Sequence, residues 1–438
     1  MNKTHIQVIF IVVSLILVSS VSGALPLDTA MARNYFNEVS TACAKDHGKL
    51  WGLNMYGPLL LVDPATRSIV ANQPDLENHL TAYGNGTYGG LLPKEVNISN
   101  TALEWGGVQW SMVRLPLPED RNVRTALIIH ELFHRVQNKL GFPVTGPANN
   151  HLDTKDGRIW LQLEWRALSS ALKSKGSERK QAITDALLFR AHRRELFHTA
   201  MMEERALELH EGLAEYTGMK IGISTDTARI SYTLWKIGEV VNGSTFVRSF
   251  AYASGPAYGL LCDLTGKKWI PKLKKYGEFG AVIQQLYGVK VPGNIKRFAI
   301  ERGANYGLDS LTVAETTRDE EKKRLLTKFQ ARYIDGPVLS IPLRNMNMQF
   351  DPNSVQPFDT FGTVYSTIRI TDDWGILTVS KGALMNPTFQ KIVVSEPVPG
   401  TINSETPEGD GWKLELKSGW MLGENVRKGD YTLVRKPK

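Results

Sequence analysis

The order of apolar and polar residues divides the chain into three stretches, and the first predicts one helix followed by a small sheet. Residues 28–45 repeat apolar positions at helical spacing. Short apolar runs of strand length follow, separated by Gly and Pro turns such as Gly57-Pro58. These runs cover 59–62, 68–70 and 108–116. We therefore expect residues 24–115 to form a β-rich part built around a small mixed sheet.

The second stretch, residues 116–335, has helical periodicity and predicts a mainly helical lobe. In the segment 121–140, one helical face collects the apolar residues Leu127, Ile128, Leu132, Phe133 and Val136. Further amphipathic segments predict helices over 154–175, 177–197 and 201–220, with Ser177 as the N-cap of the second. The charged segment 317–332 predicts an exposed helix, whose charges we interpret as a solvated face.

The third stretch begins at Gly336-Pro337, where long helical segments give way to short alternating runs separated by turn residues. This pattern is typical of an all-β module, either a small sandwich or a barrel, over residues 336–438. The expected fold class is therefore α+β.

The N-terminus predicts a signal peptide over residues 1–23. Lys3 precedes the apolar run 8–18, and small residues follow, with Val21 and Gly23 suited to a cleavage site before Ala24. An uncleaved N-terminal anchor is the alternative. No other stretch has the apolar length of a membrane span, so we expect a secreted or periplasmic protein without stable membrane insertion after cleavage.

Charge and cysteine content narrow the expected partners only slightly. The net charge is +8, and the basic residues are spread along the chain, so we expect no nucleic-acid partner. The two cysteines, Cys43 and Cys262, leave two alternatives open in an exported protein. They form one disulfide, or they are buried thiols.

The strongest chemical signal is His130-Glu131-Leu132-Phe133-His134, which has the pattern HExxH. Two His at positions i and i+4 lie one turn apart on one face of a helix, so both imidazoles can bind a single Zn²⁺ ion. The intervening Glu faces the water on that ion and can remove its proton. We therefore predict His130 and His134 as metal ligands and Glu131 as general base. The alternative is an ordinary helix without metal.

Zinc needs a third protein ligand. Metzincins would have a His at position 140, but this chain has Leu140, so that class is excluded. A Glu ligand close after the motif is also excluded, because no Glu lies between Glu131 and Glu164. Further on, His210-Glu211-Gly212-Leu213-Ala214 resembles the third-ligand helix of gluzincins, the HExxH metallopeptidases that include aminopeptidase N and the glycyl aminopeptidases. That resemblance implies a thermolysin-like catalytic domain over residues 24–335, with Glu211 as the third zinc ligand. We interpret 154–197 as an insertion between the two motifs.

A second match to gluzincins is Tyr252-Ala253-Ser254-Gly255, which resembles their Tyr-x-x-Gly segment. The resemblance implies that Tyr252 donates a hydrogen bond to the oxyanion of the reaction. Tyr258 is a competitor, and core packing is the alternative for either tyrosine.

Other acidic residues receive different interpretations. Glu215 shares a predicted helix with Glu211 and is a candidate partner for a ligand His. For Glu204 and Glu208 we favour a solvated acidic face. The G-x-M-E-N strand that anchors the substrate amine in aminopeptidases is absent, and nothing singles out Glu104 or Glu164 as a replacement.

These observations predict a secreted zinc metallopeptidase acting on a peptide or protein substrate. Two alternatives stay open. One is an inactive gluzincin scaffold that serves as a binding protein, to which Arg135 after the second His and the long insertion lend weight. The other is zinc hydrolysis of a non-peptide substrate.

Overall fold

The computed structural model describes residues 28–142, 145–351 and 354–437. The predicted signal peptide, 1–23, lies outside them. No helix in the described part of the chain has the length and apolar character needed to cross a membrane. The fold is α+β.

The N-terminal part contains one helix and one sheet. The helix is α1 (Thr29–Asp46). Its N-cap is Asp28, whose carboxylate accepts from the backbone N–H groups of Ala30 and Met31. The strands run in the sheet order β3-β4-β2-β1-β6-β5. Their bounds are β1 (Leu59–Val62), β2 (Ser68–Ala71), β3 (Thr81–Gly84), β4 (Thr87–Leu91), β5 (Thr101–Trp105) and β6 (Val108–Arg114). The runs that the sequence predicted as strands are β1, β2 and β6.

Both faces of this sheet are covered. Successive side chains along a strand point to opposite faces, so alternate residues pack into different apolar clusters. On β1, Leu59 and Leu61 pack into the large core that the helices share, whereas Leu60 and Val62 pack under loops on the other face. The strand β6 pairs in parallel with β1 and antiparallel with β5. β5 is therefore an edge strand, with its second side unpaired in the sheet.

A helical lobe follows the sheet, as expected. Its helices are α2 (Arg121–Gln137), α3 (Lys155–Lys173), α4 (Gly176–Leu196), α5 (Ala200–Leu207), α6 (Leu213–Gly222), α7 (Asp226–Val241), α8 (Phe250–Asp263), α9 (Ile270–Tyr276), α10 (Phe279–Tyr287), α11 (Ile295–Gly303) and α12 (Leu308–Gln330). A π-helical turn, Glu208–Gly212, joins α5 to α6. The prediction for Ser177 is wrong, because α4 starts one residue earlier and its N-cap position is Lys175.

The C-terminal part is all-β, as the sequence predicted, and forms two sheets around a shared core. Ile341 and Val394 contribute to that core from one sheet, and Ile370 and Leu414 contribute from the other. The arrangement is a sandwich. The strands are β7 (Val338–Pro342), β8 (Asn347–Phe350), β9 (Val355–Phe358), β10 (Gly362–Tyr365), β11 (Ile368–Asp372), β12 (Gly375–Val379), β13 (Ala383–Met385), β14 (Lys391–Ser395), β15 (Glu408–Gly409), β16 (Trp412–Leu416), β17 (Trp420–Glu424) and β18 (Tyr431–Arg435).

The two cysteines are buried and unpaired. Cys43 lies on α1 and Cys262 on α8, and both pack in the large helical core. Of the two alternatives, the structure therefore has buried thiols. Burial, reinforced by nearby Asp46, raises the pKa of the Cys43 thiol to about 12.

Candidate metal centre

The helix α2 carries the HExxH motif and is fixed at its start and along one side. Asp120 caps it by accepting from the backbone N–H of Val123 at 2.9 Å. Leu132 and Phe133 are fully buried in the helical core. The hydroxyl of Ser111, on β6, donates to the carbonyl of Glu131 at 3.1 Å. These contacts hold one helix face against the sheet, and the opposite face lines a cleft.

Each motif histidine has its Nδ1 atom paired with a side-chain oxygen. His130 Nδ1 lies 2.9 Å from Glu215 Oε2, and His134 Nδ1 lies 2.8 Å from Gln137 Oε1. Gln137 is oriented in turn, because its amide nitrogen donates to the carbonyls of Leu209 and His210, each at 3.0 Å. An acceptor at Nδ1 places the proton there and leaves the lone pair on Nε2. Both Nε2 lone pairs are thus available for a cation.

The two Nε2 atoms and one carboxylate oxygen of Glu211 converge on a single point. His130 Nε2 and His134 Nε2 are 3.0 Å apart, and Glu211 Oε2 lies 3.4 Å from each. Ligands on a tetrahedral ion with bonds of about 2.0–2.1 Å stand about 3.3 Å from one another. The three atoms therefore match the spacing of ligands around a small tetrahedral cation, and two imidazoles with one carboxylate are a donor set for a divalent transition-metal ion.

The charge of the site also favours a cation. Burial opposes a charge on His130, yet Glu211 and Glu215 together raise the pKa of this imidazole to about 10. Burial likewise opposes ionisation of Glu211, but His130 and His134 hold the pKa of that carboxyl far below its usual range. Glu211 is therefore ionised, as a metal ligand must be, and the field that favours a proton on His130 favours a metal cation in its place.

Close contacts between helices bring Glu211 to this position. A Cβ atom at Gly218, on α6, would stand 2.2 Å from the carbonyl of Ala126, so the missing side chain lets α6 lie directly against α2. A Cβ atom at Gly255, on α8, would stand 2.3 Å from the carbonyl of Gly212. The π-helical turn and α8 therefore meet backbone to backbone, which explains why the Tyr-x-x-Gly segment needs glycine at position 255.

Tyr252 lies within this cluster. Its hydroxyl donates to Glu211 Oε2 at 2.8 Å, and its ring stacks on His130 with 5.4 Å between the centroids. Burial and the neighbouring carboxylate of Glu211 raise the pKa of the phenol well above its ordinary value, so the hydroxyl stays protonated and remains a donor. Tyr258 lies elsewhere in the core, where its hydroxyl donates to Glu164 at 2.8 Å.

Glu131 is buried but not fully paired. Its Oε2 atom has no hydrogen-bond partner among the described residues, although the side chain lines the cleft beside the two histidines. Burial raises the pKa of this carboxyl. The unpaired oxygen is enclosed by surrounding atoms, while the residue itself reaches the cleft.

Arg248, which was not predicted from the sequence, donates to Glu211 Oε1 at 2.9 Å. With Tyr252 on the other oxygen, both oxygens of the Glu211 carboxylate are held. Gln137 was not predicted either, although the three-residue spacing from His134 on one helix was a signal that could have identified it. Arg248 lies in the turn just before α8, and no sequence pattern singled it out. Glu215, by contrast, lies where the sequence placed it, against a motif histidine.

The prediction that Glu204 and Glu208 form a solvated face is wrong. Both are buried, and Arg193 Nε donates to Glu204 at 2.6 Å while Arg190 Nη1 donates to Glu208 at 2.9 Å. Glu164 is buried in the same network, where Arg193 Nη1 donates to it at 2.7 Å. It does not line the cleft, and its charge is already neutralised, so it cannot anchor a substrate amine.

The cleft around the cluster has a volume of about 1270 Å³. The lining includes Asn100, Thr101 and Ala102, at the start of edge strand β5, and Trp235 and Lys236 of α7. Glu104, also on β5, is exposed and is not among the lining residues. Arg135 lines the cleft too, but its guanidinium lies over Gly57, where a Cβ atom would stand 2.3 Å from Nη2.

Comparison with known proteins adds no relative to this geometry. No protein-family model, no curated protein and no solved structure matches the chain. Any functional conclusion therefore depends on the arrangement of His130, Glu131, His134, Glu211 and Tyr252.

Proposed function

We propose that this protein is a secreted, zinc-dependent metallopeptidase of the gluzincin type. The observation that carries the proposal is the convergence of His130 Nε2, His134 Nε2 and Glu211 Oε2 at separations of 3.0–3.4 Å. It is supported by the partners at both Nδ1 atoms, which leave the Nε2 lone pairs directed at one point.

In this proposal each residue has a distinct task. His130, His134 and Glu211 would hold a zinc ion. When bound, it would supply Lewis acidity that lowers the pKa of a water molecule and polarises a carbonyl group. Glu131 accepts the water proton and passes it to the leaving amine. Tyr252 donates its hydroxyl hydrogen bond to the developing oxyanion, for which it must leave Glu211.

The open edge of the sheet favours a peptide as substrate. β5 lies at the sheet edge, and its first residues line the cleft that contains Glu131. An extended peptide can add to such an edge through backbone hydrogen bonds, which an ester or other small substrate would not use. The inactive-scaffold alternative predicts a metal-free or occluded cleft, and a cleft of about 1270 Å³ argues against the occluded form of it.

Replacement of the general base tests the proposal. Purified protein should contain about one equivalent of zinc by mass spectrometry and should hydrolyse members of a peptide library. Glu131→Gln should retain the metal, because Glu131 is not a ligand, but lose about 10²–10⁴-fold in kcat. Glu301→Gln, an exposed residue on α11, is the matched control and should remain active.

Three results would contradict parts of the proposal. Full activity of Glu131→Gln would exclude the mechanism. Absence of zinc and of zinc-dependent activity would favour the binding-protein alternative. Hydrolysis of esters without any hydrolysis of peptides would favour a non-peptide substrate.

A further inference from the structure

The cleft extends in both directions from the metal cluster. Its floor is one face of α2, from Val123 in the first turn to Lys139 just after the last. At about 1.5 Å per residue, this face is about 24 Å long. Glu131 lies near the middle, so the helix provides about 12 Å of floor on each side of the reacting atoms. A site built to remove single terminal residues would be closed on one side.

The lining also includes Thr101 and Ala102 of β5 and Trp235 of α7. A polypeptide in extended conformation advances about 3.3 Å per residue. The floor therefore has room for about seven extended residues. The volume of about 1270 Å³ also exceeds the roughly 300–1,000 Å³ of pockets that enclose a small ligand.

The carboxylates that line the cleft leave none to anchor a free N-terminal amine. Glu211 belongs to the metal cluster, and Glu131 is the proposed base. Glu215 contacts His130 and accepts from Tyr232 at 2.6 Å. Glu239 is bound by Lys236 at 2.9 Å. Among the described lining residues, no acidic side chain remains for a substrate ammonium group.

The cations of the cleft are equally unsuited to hold a C-terminal carboxylate next to the reacting atoms. Arg248 is bound to Glu211, and Lys236 lies between Glu215 and Glu239. The guanidinium of Arg135 is directed at Gly57 and donates to the carbonyl of Met55 at 3.4 Å. Lys139 is about 12 Å along the helix axis from Glu131, a distance that three to four extended residues would span.

From this geometry we infer that the protein is an endopeptidase, which binds an extended internal segment of about seven residues and cleaves it near the middle. The inference rests on the proposed peptidase function and specifies its substrate class. Chain ends contribute nothing to recognition, because neither end meets a fixed charge of opposite sign near the cluster. Backbone pairing with β5 and contacts along α2 supply the binding energy instead.

Blocking the ends of a substrate tests this inference. Ten-residue peptides are prepared with free termini and with an acetylated N-terminus and an amidated C-terminus, and their products are identified by mass spectrometry. Both forms should be cut between internal residues, with kcat/KM values within about threefold of each other. A tenfold loss on blocking either end, or products shortened one residue at a time, would overturn the inference while leaving the peptidase function in place. No cleavage of any peptide would overturn both.

A second experiment uses a bulky substitution to obstruct the end of the cleft near Lys139. Lys139 is exposed, lines the cleft and has no ion pair among the described residues, so Lys139→Trp should fold normally. We expect a loss of about tenfold in kcat/KM for ten-residue blocked peptides and no change for blocked peptides with two residues on each side of the cut. Lys45→Trp, at an exposed position in the last turn of α1, is the matched control. Equal loss for long and short peptides, or no loss for either, would contradict binding along the full cleft.

Discussion

At the scale of single residues, Gln137 links the candidate metal ligand His134 to the backbone of the π-helical turn. Its side-chain oxygen accepts from His134, and its nitrogen donates to the carbonyls of Leu209 and His210. Because such partners orient a ligand, Gln137→Ala should weaken zinc binding by about 10–100-fold. Competition with a chromophoric chelator measures this affinity.

The control for that variant is Asn138→Ala, at an exposed position on the next residue. It should bind zinc as tightly as the unaltered protein. Equal affinity in both variants would show that His134 needs no partner at Nδ1.

Site residues could be predicted from the sequence when the residues they act with are close by in the chain, and not when those residues are distant. His130, Glu131 and His134 follow from helical spacing alone, whereas Glu211 and Tyr252 were placed through a resemblance between motifs. Burial of Glu204 and Glu208 could not be foreseen, because their charge suggests solvent unless the neutralising arginines on α4 are known to face them.

At the scale of elements, the backbone contact between the π-helical turn and α8 sets the position of Tyr252. Gly255→Ala would place a Cβ atom 2.3 Å from the carbonyl of Gly212, so the two elements must separate. We expect a loss of about 1–3 kcal/mol in the free energy of unfolding, measured by urea denaturation. Peptidase activity should fall further than stability explains, because Tyr252 moves away from Glu211.

The control is Gly238→Ala in α7, where a Cβ atom would meet nothing within 4 Å. There alanine should stabilise the protein by up to about 1 kcal/mol, since glycine inside a helix is unfavourable. A neutral effect of Gly255→Ala would show that the two elements are not as close as described.

The buried charge network that joins α3, α4 and α5 makes stability depend on pH. Burial alone would raise the pKa values of Glu164 and Glu204, but Arg190 and Arg193 lower the first, and Arg193 with His151 lowers the second. Both carboxyls thus stabilise the fold fully above the ordinary Glu pKa of about 4.3, and this contribution is lost as the pH falls below it. The pKa of Glu208 is raised by burial, so this carboxyl acts in the opposite direction.

The urea midpoint should therefore fall between pH 6 and pH 3.5. In Glu204→Gln the protein should be less stable at pH 6 by about 3–5 kcal/mol, because Arg193 loses a buried partner. The further decrease on acidification should then be smaller than in the unaltered protein. An equal decrease in both would assign the acid sensitivity to other groups.

Periodicity predicted the long elements well and the irregular ones poorly. The segments expected as helices around residues 121–140 and 154–175 correspond to α2 and α3 within a few residues. The π-helical turn could not be predicted, because its local sequence reads as a continuous helix from 201 to 220. A π-helical turn contains one residue more than an α-helical turn, and its position follows from the packing of Gly212 against α8, which the local sequence does not show.

At the scale of the whole molecule, the boundary expected at residue 336 is crossed by a small apolar cluster. Phe329 and Tyr333, at and just beyond the end of α12, pack against Phe358 and Val364 of the sandwich. A fragment of residues 324–438 should therefore be more stable than one of residues 336–438, by about 3 kcal/mol for the two aromatic side chains.

Thermal melts followed by circular dichroism compare the two fragments. Phe329→Ala in the longer fragment should remove part of the difference. Equal melting of the two fragments would place the boundary at residue 336 and make the cluster energetically unimportant.

The reactivity of the two unpaired thiols can be used to measure how often the structure around each of them opens. A thiol reagent attacks the thiolate, and burial raises the pKa values of both cysteines, so neither reacts while its surroundings stay closed. Cys43 reports on α1, and Cys262 reports on α8, the helix that carries Tyr252. The labelling rate at each position therefore gives the frequency with which that helix opens, without any engineered probe.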